Sequence, residues 1–159
     1  MLTEASTTAP SAIRATSTPI AAHRRVASGR LRFFAETIGL TDPIYSNLEA
    51  ARKAGHRDLP VPPTFLSNSL ELQLANPLGW LAELGGDLTK TTHAEQSFTY
   101  HAMAYAGDEL VLRRKIVDVY TKKGGALEFV VKQTDVMRGD EKLAEIQFVI
   151  ALKHPEVTA

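Results

Sequence analysis

The feature that most limits how this chain can fold is a long alternation in its second half. The stretch "AEQSFTYHAMAYAGDELVLRRKIVDVYTKKGGALEFVVKQTDVMRGDEKLAEIQFVIAL" runs apolar and polar residues with period two. Phe98 and Tyr100 alternate with Thr99 and His101, and Ile146, Phe148, Ile150 and Leu152 share one face. A strand points successive side chains to opposite faces, so this pattern makes half-buried strands. Three turn signals, "AGD", "KKGGA" and "RGDEK", divide it. The expectation is four long strands joined by hairpins into an antiparallel meander.

The first half is helical instead. "AAHRRVAS" reads as a short strand, and Ser28 as the cap of a helix carrying Leu31, Phe34, Ala35 and Ile38 on one stripe. Gly39 ends it, because glycine takes the left-handed terminating conformation at little cost. "SNLEAARKAG" reads as a second helix, capped by Asn47 and terminated at Gly55. In "LPVPPTFLSNSLELQLANP", Pro62 and Pro63 sit at a helix start, where a missing N–H is harmless. Phe65, Leu66, Ser69, Leu70, Leu72 and Leu74 then place apolar or small residues on most sides. Such a helix is buried rather than surface-lying, and Asn76-Pro77 stops it. "LGWLAELGGDLTK" is a loop or a short helical turn. One buried helix followed by a long antiparallel sheet is an α+β pattern. It fits the hot-dog architecture, a sheet wrapped around a central helix.

Composition excludes several functions. The chain has 159 residues, enough for one domain with a core. Lys+Arg and Asp+Glu number 18 each, so net charge gives no reason to expect nucleic acid or an anionic membrane as partner. With no cysteine, disulfides, thiolate metal sites and a cysteine nucleophile are ruled out. No apolar run approaches the roughly 20 residues that span a bilayer. "MLTEASTTAPSAIRATSTPI" lacks a continuous apolar segment, so a disordered tail over 1–21, a domain over 22–155 and a cytoplasmic location are expected.

Several motifs stand in a telling order: Gly-x-x-Asp-Pro-Ile-Tyr from Gly39, Pro-Pro-Thr-Phe from Pro62, His-x-Glu-Gln-x-Phe from His93 and Ala-Gly-Asp from Ala106. In this order they resemble the N-terminal-type half of the MaoC-like dehydratases, from about Ala22 to Leu152. The resemblance implies a hot-dog fold and a hydratase or dehydratase (lyase) reaction, the reversible hydration of enoyl thioesters. The substrate would be an acyl-CoA or acyl-carrier-protein (acyl-ACP) thioester of fatty-acid metabolism. It also implies pairing with a second hot-dog chain into a dimer whose tunnel holds the acyl group, and no cofactor.

That hydration needs a base for water, an acid for the α-carbon and an N–H for the thioester oxygen. Members that catalyse it carry a Gly-Asp-x-Asn-Pro-Leu-His-like motif. Against that motif, Leu40 stands in the place of Asp and Tyr45 in the place of His. Leu does not titrate, and a phenol is a poor base at neutral pH. The family's His-Gly-like pair at the head of the central helix is matched by Pro62-Pro63, and proline has no N–H. No catalytic residue is therefore expected. The implied role is the non-catalytic partner of a heteromeric (3R)-hydroxyacyl-thioester dehydratase. Pro63, Phe65, Leu66, Leu70 and Phe98 are the candidate tunnel wall, although each also fits ordinary core.

The alternative is a self-sufficient homodimeric hydratase or thioesterase using Asp42, Glu71 or His93. A thioester-binding module without chemistry is a third possibility. Asp42 fits a turn or cap as well as an acid, and Glu71 fits the solvent or interface side of its helix. His93 and Glu95, two apart, are expected to point the same way, with His101 on that face; their spacing matches no metal signature. His56 fits a solvated turn and Arg138 to Asp140 a hairpin. Arg113, Arg114 and Lys115 fit a solvated strand or a CoA phosphate contact. Leu78 and Trp80 fit packing over the central helix or a subunit contact.

Overall fold

The computed structural model describes residues 20–71, 73, 76–83 and 86–154. Most of the expected tail, residues 1–19, lies outside them, as do Leu72 and Leu74 of the central-helix reading. The elements run β1 (Ile20–Arg25), α1 (Ser28–Thr37), α2 (Leu48–Lys53), α3 (Phe65–Glu71), α4 (Gly79–Glu83), β2 (Thr91–Tyr100), β3 (Glu109–Lys122), β4 (Leu127–Arg138) and β5 (Glu141–Lys153). All five strands form one antiparallel sheet.

The strand order is β1-β3-β4-β5-β2. This corrects the four-strand meander. Only β3, β4 and β5 are consecutive hairpins, and β2 lies across the sheet beside β5, pairing Phe98 with Ile146. "AGD" is thus the last turn of a crossing connection from β2 to β3, not a hairpin. Gly107, at φ +86, lies in this turn. Its amide donates to the Val26 carbonyl at 2.8 Å, docking the turn on the start of α1.

Both early helices end alike. The Gly39 amide donates to Glu36 O at 3.1 Å and the Leu40 amide to Ala35 O at 2.9 Å. Gly55 and His56 repeat this against Arg52 O and Ala51 O, each at 3.0 Å. Both pairs satisfy carbonyls that the last helical turn leaves open, with a glycine at positive φ between helix and loop. Asn47 caps α2 as expected, accepting from the amides of Glu49 and Ala50. Ser28 does not cap α1: it is the first helical residue, and Ala27 at the cap position offers no side-chain acceptor.

The concave face of the sheet holds two apolar clusters. In the larger, Phe65, Leu66 and Leu70 of α3 pack on Leu110, Leu112, Val136, Leu143 and Ile146. Phe65 also meets Phe34 edge to face, with ring centroids 5.3 Å apart. The smaller cluster sets Trp80 and Leu81 of α4 against Ile116, Val130, Ile150 and Leu152. Trp80 is buried and Leu78 is partly exposed. The central helix is shorter than its apolar pattern suggests, with seven residues, but it is buried against the sheet as expected.

Candidate functional site

An apolar cavity of about 390 Å³ lies where the turn after α1 meets the head of α3. Its wall includes Tyr45, Pro63, Leu66, Tyr100, His101 and Met103. Local sequence explains the placement. After Gly39 reverses the chain, Asp42 Oδ1 accepts from the Ile44 amide at 3.1 Å, and Pro43 begins a single 3-10 turn that carries Tyr45. On the facing side, the Val61 amide donates to Ala104 O and the Ala106 amide to Leu59 O, each at 2.9 Å. These bonds clamp the segment before Pro62-Pro63 onto the chain that follows β2.

The expected residues separate into three groups. Pro63 and Leu66 line the cavity. Phe65 and Leu70 are fully enclosed core, at 1% and 0% exposure, so they shape the cavity only through packing. Phe98 is partly buried against that core and stacks on Tyr100 at 5.8 Å. Tyr45 is on the cavity wall, whereas Leu40 is half-buried and not among the lining residues. Tyr100 and His101 line the wall as well, beyond the residues the motifs point to. Tyr100 shares the face of Phe98, which was the available signal. His101 follows the end of β2, where alternation no longer says which way a side chain points.

The residues of the self-sufficient alternative are otherwise engaged. Asp42 caps its turn. Glu71 is buried, not on a solvent or interface side: its Oε1 accepts from Lys132 Nζ at 2.5 Å and lies 3.6 Å from Arg114 Nη1. Arg114 is correspondingly buried and donates through Nη1 to Pro77 O at 3.4 Å, so it does not lie on a solvated strand face, while Arg113 on the other face is exposed. Burial pushes the Lys132 ammonium below its ordinary pKa, and neighbouring Glu71 offsets only part of that.

His93 and Glu95 do not point the same way. The register slips between them, so His93 faces Ile150 and Glu95 faces Val149, on opposite sides of the sheet. The His93 ring stacks on Phe148 at 4.3 Å, and Gln96, facing α3, donates to Ser67 Oγ at 2.5 Å. No group of acidic and histidine side chains that could hold a metal occurs among the described residues.

Two turn residues hold the site's frame together. Asp108 of "AGD" is buried, pairs with Arg57, and accepts from Arg138 Nη1 at 2.8 Å and from the Tyr105 amide at 3.0 Å. Arg138 of "RGD" is therefore a clamp across the sheet, in a hairpin whose Gly139 has φ +58. His56 is not simply solvated: it is half-buried, with Nδ1 3.3 Å from Tyr105 Oη.

Chemically, the lining offers apolar surface, two phenols and one imidazole, with no carboxylate among them. Burial pushes the Tyr100 phenol above its ordinary value, away from service as a base near neutral pH. Pro63 contributes no N–H to the wall.

The sheet wrapped on α3 is the hot-dog fold of MaoC-like dehydratases, as the motifs implied. The model of the family described as "FAS1-like, dehydratase domain region" matches residues 16–146, and the chain belongs to that family. A relative from Parafrankia sp. (strain EAN1pec), "UPF0336 protein Franean1_6066", is 40% identical over 95 residues, which is 60% of this chain and 62% of that one. Among solved structures, a chain of the ChsH1-ChsH2 complex from Mycobacterium tuberculosis superposes with a TM-score of 0.70 at 26% identity, covering 89% of this chain and 90% of that one. A chain of the HadBC (3R-hydroxyacyl-ACP dehydratase) complex from the same organism gives 0.73 at 23% identity, over 87% and 96%. Among the described residues, no helix is long and apolar enough to cross a membrane.

Proposed function

We propose that this chain is the non-catalytic subunit of a heteromeric enoyl-thioester hydratase, a (3R)-hydroxyacyl-thioester dehydratase, working in the cytoplasm. A MaoC-type partner supplies acid, base and oxyanion amide. This chain supplies part of the acyl tunnel. The observation that supports the reading is the cavity wall: it holds Tyr45, a phenol unsuited to act as base, and Pro63, which lacks an N–H, and it holds no carboxylate. Asp42 and Glu71 already serve a cap and a buried ion pair. The two complexes to which the chain is similar are themselves assemblies of unlike subunits by description. Pro63 and Leu66 are the wall residues that set which acyl group fits.

The test is hydration of an enoyl-CoA by the purified chain, alone and co-expressed with a MaoC-type protein. Activity only in the complex supports the reading; activity of the isolated chain rejects it. One observation favours a self-sufficient homodimeric hydratase or thioesterase, namely His101 on the cavity wall. On that reading His101→Ala abolishes the isolated chain's activity; on ours there is none to lose.

A further inference from the structure

The ion cluster under the C-terminal end of α3 is not balanced. Among the described residues Glu71 is its one carboxylate and faces two buried cations, Lys132 and Arg114. The carbonyl end of a helix adds at most about half an elementary charge, which leaves a positive excess.

Hydrogen bonding shows the same shortfall. Among the described residues, Arg114 Nε, Thr134 Oγ1 and Trp80 Nε1 are buried without a hydrogen-bond partner. Arg114 and Thr134 face each other across β3 and β4, and Lys132 Nζ lies 5.1 Å from the Trp80 ring centroid. Arg114 is 9% exposed, Thr134 2% and Trp80 6%. Buried donors are ordinarily paired. Three open ones beside an excess of cations are the complement of an oxyanion, which accepts several hydrogen bonds and carries the missing charge.

We infer that Arg114, Lys132, Thr134 and Trp80 form a recognition site for a carboxylate or phosphate group beneath α3. The cavity lies at the other end of that helix, which is seven residues long, or about 10 Å at 1.5 Å per residue. One source of the anion is thus the far end of an acyl chain that bears its own carboxylate. This arm rests on the proposed thioester-binding role. The other source is a free anion, which needs no such role.

The experiment titrates the full chain calorimetrically with octanoyl-CoA, with the mono-CoA thioester of octanedioic acid, and with inorganic phosphate. The variants are Thr134→Val, which removes only the open hydroxyl, and Arg114→Lys, which keeps the charge and removes Nε. If the acyl terminus is the ligand, the carboxyl-bearing thioester binds at least about tenfold tighter than octanoyl-CoA, and both variants erase that preference. If a free anion is the ligand, phosphate binds saturably, both variants weaken it about tenfold, and the two thioesters do not differ. Thr134→Val folds as stably as the parent in either case, since it removes an unpaired buried hydroxyl. The inference is overturned if phosphate does not saturate and the thioesters bind alike, or if a preference survives in both variants. Binding is read here without turnover, so an inactive co-expressed complex would refute the proposed function and leave this result standing.

Discussion

Lys132 Nζ lies 2.5 Å from Glu71 Oε1, so an ion pair between buried side chains ties the end of the central helix to the middle strand of the sheet. Such a pair adds little net stability over an apolar replacement, but breaking it strands a charge. Lys132→Met is expected to cost about 3 kcal/mol. Glu71→Gln, which leaves two cations without a carboxylate, is expected to cost at least as much. The double variant should recover part of the loss. Urea midpoints for the three proteins check this, and additive losses would show that the pair is not coupled.

Asp108 gives a pH dependence whose sign is fixed. Burial alone would raise its carboxyl, but hydrogen bonds from Arg57, the Tyr105 amide and Arg138 outweigh it and hold the group below its ordinary 3.8. A folded value below the unfolded one means that the stabilisation is complete above about 3.8. It is lost as pH falls through the folded value. Both arginines are partly exposed, so Asp108→Asn is expected to cost only about 2 kcal/mol at neutral pH. The gap between parent and variant should close as pH drops below about 3.8. A gap that is constant down to acid would remove the carboxylate from the account.

The sheet-and-helix class, both helix-terminating glycines and the Asn47 cap were legible because each rests on a local rule. The position of β2 was not, since alternation marks a strand but carries no information about its neighbour. The His93/Glu95 error has a similar origin: one extra residue in β2 reverses every later side chain, and no residue type in "HAE" announces it. Glu71 misled because a carboxylate between leucines reads as the wet side of a helix. Its cations sit 43 and 61 positions later, on two strands of the sheet. Tyr45 was legible as a departure from a motif, but its place on the cavity wall needed the fold.

Gly39 supports the turn that carries Tyr45. It sits at φ +73, and a Cβ there would meet nothing within 4 Å, so only backbone strain opposes a substitution. Gly39→Ala is expected to cost about 1 kcal/mol, and Gly39→Asn less, because asparagine tolerates this region. Thermal melts of the two variants decide it. Equal losses for both would point to a contact rather than to the dihedral.

The cavity wall makes a prediction about regained chemistry. Tyr45→His places an imidazole on the cavity wall, the base that the proposed function says this chain lacks. A base without an oxyanion donor leaves the developing enolate unsupported, and one such donor is worth about 10²–10³ in rate. Tyr45→His alone should therefore stay at the background rate of enoyl-CoA hydration. Adding Pro63→Gly restores an N–H at the head of α3, and the double variant should run about 100-fold faster than the single one. Leu40→Asp should add nothing to either, because Leu40 is not part of the cavity wall. Initial rates of the purified variants measure this. If Tyr45→His alone were as fast as the double variant, the oxyanion donor would lie elsewhere on the wall, and Pro63 would lose its place in the explanation.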